Sequence, residues 1–175
     1  MSWYPTRLID LGDLRLHSTF ESKRSETLVR LVSTDDWWSR KDHYVTLSHC
    51  WGQVQFLRLT DENLPHFQKG ICIEQLPRTF RDAMLFALRL GIRYIWIDSL
   101  CIKQGHAQDW LHESANMHKV YSNSFCNFSA TAARDSRDGL FFDRKVHPLW
   151  EAEVNLDTEG IPGSGGSRPI QTVQL

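Results

Sequence analysis

Within a few residues of Gly91 the chain changes character: Ile92-Arg93-Tyr94-Ile95-Trp96-Ile97 is almost wholly apolar, and Asp98, Ser99, Cys101 and Gln104 follow at once. They offer a carboxylate, a hydroxyl, a thiol and a carboxamide, groups that hydrogen-bond ligands, move protons or attack as nucleophiles. A second polar cluster, Ser48-His49-Cys50-Trp51-Gly52, closes another apolar run, Tyr44-Val45-Thr46-Leu47. The third feature is Glu113. It stands three residues after Trp110 and four before Met117, so a helix through it places this carboxylate on or beside the apolar stripe.

Each of these residues has a plainer role to weigh. Asp98 can cap or form a turn. Cys50 and Cys101 can pack as small hydrophobes, or a thiol can act as a nucleophile with His49 as its base. His49 can be a hydrogen-bonded structural residue, and Trp51 can stack on a flat ligand ring or fill the core. An inward-facing glutamate must be paired, hydrogen-bonded or kept for function, because an unpaired buried carboxylate is costly. Arg93, Lys103 and Arg134 are the candidate partners for Glu113.

The elements that position these groups follow from periodicity. Ile92–Ile97 is β-branched and aromatic, too short for a free helix, and fits a strand buried on both faces in mid-sheet. Its carboxyl end is where open α/β sheets place their ligand crevice. Tyr44–Ser48 and residues 125–131 read as further strands. Phe80, Ala83, Met84, Ala87 and Leu88 recur at helical spacing, with Pro77 at the entrance, Thr79 and Asp82 at capping-box-like spacing and Gly91 at the exit. A second helix is expected over about 109–121, with Trp110, Met117, Val120 and Tyr121 as its apolar stripe and His112, Asn116 and Lys119 opposite. The alternation predicts an α/β fold with a mostly parallel sheet and flanking helices. Shorter strands are expected at 7–10, 14–16, 28–32 and 71–73, a loop at 18–26, and a flap bearing Trp37 and Trp38 at 35–42. In this topology Ser48, His49, Trp51, Asp98, Cys101 and Glu113 are expected to converge at one edge of the sheet.

Composition bounds the rest. The 175 residues suit one domain, and 41% hydrophobic content supports an ordinary core. With a net charge of −1 and scattered basic residues, nucleic acid is not expected as a partner, nor is a membrane. The four cysteines form no CxxC pair, which argues against a zinc knuckle; no metal and no resident cofactor are expected. No stretch of about 18 apolar residues and no signal-peptide pattern is present, so a soluble, intracellular protein is expected. Gly160-Ile161-Pro162-Gly163-Ser164-Gly165-Gly166-Ser167 reads as a linker, and the last fifteen residues are expected to be disordered.

Three motifs then carry a resemblance. Tyr44 to Gly52, Leu76-Pro77-Arg78-Thr79-Phe80-Arg81-Asp82-Ala83, and Leu90 to Gln104 resemble the successive motifs of the fungal heterokaryon-incompatibility (HET) domain, in its order and spacing. Asp109-Trp110 with Glu113, Met117, Val120-Tyr121, Ala130-Thr131-Ala132 and Gly139-Leu140 extends the likeness over roughly residues 44–144. One departure is Gly105-His106, where the family commonly has an acidic residue. The expected organisation is 1–43 as N-terminal strands and connectors, 44–150 as the core and 151–175 as a flexible tail.

The resemblance implies a fungal cytoplasmic effector that triggers programmed cell death on non-self recognition. It also implies a distant likeness to TIR domains, hence a flavodoxin-like fold with extra N-terminal strands. Some TIR domains hydrolyse NAD with a helical glutamate. By that analogy Glu113 is the catalytic residue, while Trp51, Ser48, Asp98 and Cys101 bind the ligand, with NAD as substrate. The alternative is a non-enzymatic homotypic death-signalling module, in which Glu113 is a salt-bridge residue. HET domains usually come attached to nucleotide-binding oligomerisation domains or repeats. No such switch is recognisable here, so self-association or an upstream activating protein is expected to control the domain, with residues 35–42 as the element that it orders.

Overall fold

In the computed structural model the described residues are 3–12, 28–35, 37 and 41–143. The strands are β1 (Arg7–Asp10), β2 (Leu28–Ser33), β3 (Tyr44–Ser48), β4 (Ile71–Cys72), β5 (Tyr94–Ile97) and β6 (Asn127–Ser129). The helices are α1 (Leu64–Lys69), α2 (Arg78–Arg89), the single turn α3 (Asp98–Cys101) and α4 (Ala107–Ser122). Expectations for 14–16, 18–26, Trp38 and the tail fall outside the described residues.

All six strands join one sheet in the order β4-β2-β1-β5-β3-β6. It is mixed, and the expectation of a mostly parallel sheet is corrected. β3 runs parallel to β5 and β6, but β1–β2, β1–β5 and β2–β4 are antiparallel. The cause is the N-terminal segment, since β1 lies against β5 and brings β2 and β4 with it, extending the parallel trio with an antiparallel half.

β5 occupies the interior position expected of it. Tyr94 to Ile97 are all buried, between β1 and β3, with Ile9 opposite Ile95 on one side and Val45 opposite Ile95 on the other. Apolar side chains cover both faces, as a central strand requires. α2 buries Phe80, Ala83, Met84 and Ala87, the spacing that the sequence predicts. Gly91 adopts a left-handed φ of 75° just past it, the conformation a helix exit needs.

Three local expectations are corrected. Thr79 and Asp82 do not close a capping box: Pro77 is the N-cap, Thr79 Oγ1 accepts from Gly139 N–H at 3.0 Å and Asp82 Oδ2 from Leu140 N–H at 3.0 Å. Both side chains hold a loop 58 or 60 residues downstream. On α4, Trp110 is 57% exposed, whereas Glu113 and Val120 are the buried residues. Trp37 is no flap residue, for it packs edge-on against Tyr94 at 4.7 Å and Tyr4 at 5.4 Å within the core.

Candidate functional site

Two polar clusters are built at the places the sequence marks, one on the acids of α4 and the other around Asp98, the first residue of α3. At the first, β1 delivers Arg7 under the start of α4. Its Nε donates to the Cys101 carbonyl at 2.7 Å, and Nη2 donates to both Asp109 oxygens at 2.7 Å and to Glu113 Oε1 at 3.3 Å. Asp109 also accepts from Lys103 N–H at 2.8 Å, and His106 Nδ1 accepts from Asp109 N–H as the helix cap. Asp109 and Glu113 are one turn apart on α4, so a single guanidinium reaches both.

Arg7 is the residue that sequence reasoning missed. Arg93, a partner considered for Glu113, instead meets Asp10 at 2.6 Å; Lys103 meets Asp61 at 2.8 Å and Arg134 meets Asp138 at 3.3 Å. The signal that could have found Arg7 was the acid pair at i and i+4 on one helix, which demands a cation beneath it. Two carboxylates share one guanidinium here, which leaves a surplus of negative charge. Glu113 is 2% exposed and lines a cavity of about 320 Å³ together with Trp3, Tyr4, Asp35, His112 and Asn116.

The second cluster gathers where β3 and β5 end. Trp51 Nε1 donates to Asp98 Oδ2 at 2.9 Å, and Asp98 Oδ1 accepts from Ser99 N–H at 2.6 Å. His49 Nδ1 stands 3.9 Å from Asp98 Oδ1. Its ring stacks on Trp51 at 6.4 Å and meets Phe80 edge-on at 4.8 Å. Burial pushes the Asp98 carboxyl above its ordinary range and the His49 imidazole below its own, which favours the neutral form of each. Trp51 is occupied on its ring as well as its N–H, with Arg58 5.2 Å from the ring centroid.

Ser48 points its hydroxyl toward Asn127 Oδ1 at 3.1 Å and Tyr121 Oη at 3.5 Å. Ser48, His49 and Cys50 line a second cavity of about 280 Å³ with Ser129, Ala130, Thr131 and Ala133. Tyr121 and Glu113 are eight residues apart on α4, about 12 Å along its axis, so Ser48, which meets Tyr121, is set apart from Glu113, while Trp51 and Asp98 pair with each other. Cys101, the last residue of α3, is 1% exposed, its thiol pushed up to about 12 by burial. Such a sulfur is held protonated and out of reach of substrate. Among the described residues no group of three His, Cys, Asp or Glu side chains could hold a metal ion, and no helix is long and apolar enough to cross a membrane.

A family model described as heterokaryon incompatibility protein (HET) matches residues 44–164, the span that contains Ser48, Trp51, Asp98, Cys101 and Glu113. No curated protein and no solved structure matches the chain.

Proposed function

The chain belongs to the heterokaryon incompatibility family, and on that premise we propose that it is an effector domain that triggers cell death by hydrolysing NAD, with Glu113 as the catalytic carboxylate. Membership gives a role in heterokaryon incompatibility; the chemistry is our reading. The observation that carries it is the surplus carboxylate on the wall of the 320 Å³ cavity beside two aromatic residues, Trp3 and Tyr4. A negative, aromatic-lined wall suits a cationic ring such as nicotinamide joined to ribose.

As the glycosidic bond breaks, nicotinamide leaves with the bonding electron pair and the ribose acquires oxocarbenium character. Glu113 stabilises that positive charge, water adds to the sugar carbon, and one proton is released. Arg7 serves as a positioning residue, holding Glu113 by one oxygen. Purified domain, free and fused to an inducible dimeriser, is incubated with NAD and assayed for nicotinamide. Release is expected, with a loss of about 100-fold or more in Glu113→Gln. A folded Glu113→Gln domain with full turnover, or wild type without release in either form, sinks the reading.

One observation favours a non-enzymatic signalling module: Glu113 is gripped by an arginine, and Trp110 and Leu111 on the same helix are 57% and 67% exposed. In that reading α4 contributes to homotypic or activator contacts, and folded Glu113→Gln retains killing. Under both readings an enforced dimer raises toxicity, because tethering raises local concentration.

A further inference from the structure

We propose that the cavity at the carboxyl ends of β3 and β6 is a second binding site, for an uncharged hydroxyl-rich ligand: a sugar ring, free or as the ribose of a nucleoside. It goes beyond the reading of Glu113, which faces a different cavity and is not used here.

The first argument is the chemistry of the walls. β3 and β6 run parallel with Ser48 opposite Ser129, their last residues, so two hydroxyls stand side by side on one edge of the sheet. Thr131 adds a third, and Ala130 and Ala133 leave space between them. Among the described residues lining this cavity there is no lysine, arginine, aspartate or glutamate. An anion would find no countercharge there and neither would a cation, whereas hydroxyl groups find both donors and acceptors.

The second argument is His49. Its side chain is 1% exposed, yet Nδ1 and Nε2 have no hydrogen-bond partner among the described residues. Buried polar nitrogens are ordinarily satisfied, so a residue that lines the cavity and holds two of them without a partner has hydrogen-bonding capacity to spare for a ligand. The ring is held by Trp51 and Phe80 rather than by polar contacts, so it can tilt without breaking a hydrogen bond. Tilting toward Asp98, 3.9 Å away, would let Nδ1–H donate to that carboxyl and present Nε2 as a bare acceptor for a ligand hydroxyl. Burial lowers the imidazole's pKa, and a neutral imidazole carries the donor and acceptor that this arrangement needs.

The test uses the full chain with ¹⁵N-labelled histidine, His49 being assigned by its absence in His49→Gln. Its ring nitrogens are followed by NMR during titration with D-ribose, adenosine and adenosine monophosphate. A saturable shift with ribose identifies a free-sugar site, and one with adenosine alone identifies a nucleoside site. Either supports the proposal, provided that Ser129→Ala and Thr131→Val, both on exposed positions, weaken binding about fivefold each while thermal melting is unchanged. No saturable shift with either uncharged probe overturns it. So does tighter binding of the monophosphate than of adenosine, or an affinity that neither rim variant changes.

Discussion

Arg7 and Glu113 stand 106 residues apart in the chain and meet at 3.3 Å, beneath a helix whose other acid, Asp109, takes the shorter bonds of the same guanidinium. The ion pair joins the first strand to α4 and orients the glutamate that faces the larger cavity. Because Asp109 holds Arg7 at 2.7 Å by itself, the two members of the pair are not equivalent.

Replacing Arg7 by glutamine strands two largely buried carboxylates, and urea unfolding is expected to show a loss of about 3–5 kcal/mol. Glu113→Gln removes one charge while Asp109 keeps the guanidinium satisfied, so its cost is expected near 1 kcal/mol. This inequality is what makes Glu113→Gln a fair test of function. Equal losses in the two variants would make the glutamate a structural pillar and contradict the arrangement described.

The His49–Asp98 contact has a pH signature. The His49 pKa is lowered in the folded protein, so its contribution is present above the unfolded value of about 6.5 and is lost as pH falls through the folded one. Asp98 is raised, so its contribution is present below the unfolded value and is lost as pH rises through the folded one. Between pH 7.5 and 5.5, stability is therefore expected to fall more steeply with acid in wild type than in His49→Phe, by up to about 1.4 kcal/mol per pH unit for one proton. Denaturant midpoints at four or five pH values measure it, and parallel profiles would refute it.

Much of this organisation was readable because it depends on local order. The run from Tyr94 to Ile97 announces a strand buried on both faces, and Phe80 to Leu88 announces a one-sided helix, whatever lies around them. Strand direction is another matter. Nothing in Arg7-Leu8-Ile9-Asp10 says that it pairs antiparallel with β5, since the apolar pattern is the same in either direction. Trp110 was misplaced for a related reason. Hydrophobicity alone puts a tryptophan inside, but α4 turns to sit Glu113 over Arg7, and Trp110 then faces outward. Thr79 and Asp82 likewise carry capping chemistry that a distant backbone segment claims. The grouping of the polar side chains was not legible, because Arg7 arrives from outside the stretch that holds Asp109 and Glu113.

Cys101 and Cys50 should part company on alkylation. The Cys101 thiol is buried and pushed up to about 12, whereas Cys50 is exposed. Iodoacetamide at pH 7.5 is expected to label Cys50 within minutes, while Cys101 is labelled only as fast as the native state opens. Peptide mass spectrometry over time separates them. Rapid labelling of Cys101 in native buffer would mean that the core around α3 does not shield it.

The last prediction concerns the glycine that closes the Ser48–Gly52 segment against the loop after β6. Gly52 has φ +63°, and a Cβ built there would stand 2.6 Å from Asp135 Cβ. That neighbour is fixed close to its own backbone, so it cannot swing aside, and the loop itself must move. The loop is pinned elsewhere by Thr79 N–H to the Ser136 carbonyl at 3.0 Å and by Gly139 N–H to Thr79 Oγ1, and shifting it strains these bonds. Gly105 supplies the control, because it has φ +82° and nothing within 4 Å of an added Cβ. Gly105→Ala should therefore show only the left-handed backbone cost, about 1 kcal/mol. Gly52→Ala should add an overpacking cost of about 1–3 kcal/mol to that, and it should also weaken sugar binding at the second cavity, whose Ala133 wall lies in the displaced loop. Thermal melts of the two variants decide it. Equal shifts would show that the loop yields freely and that the segment carrying His49 is not braced by it.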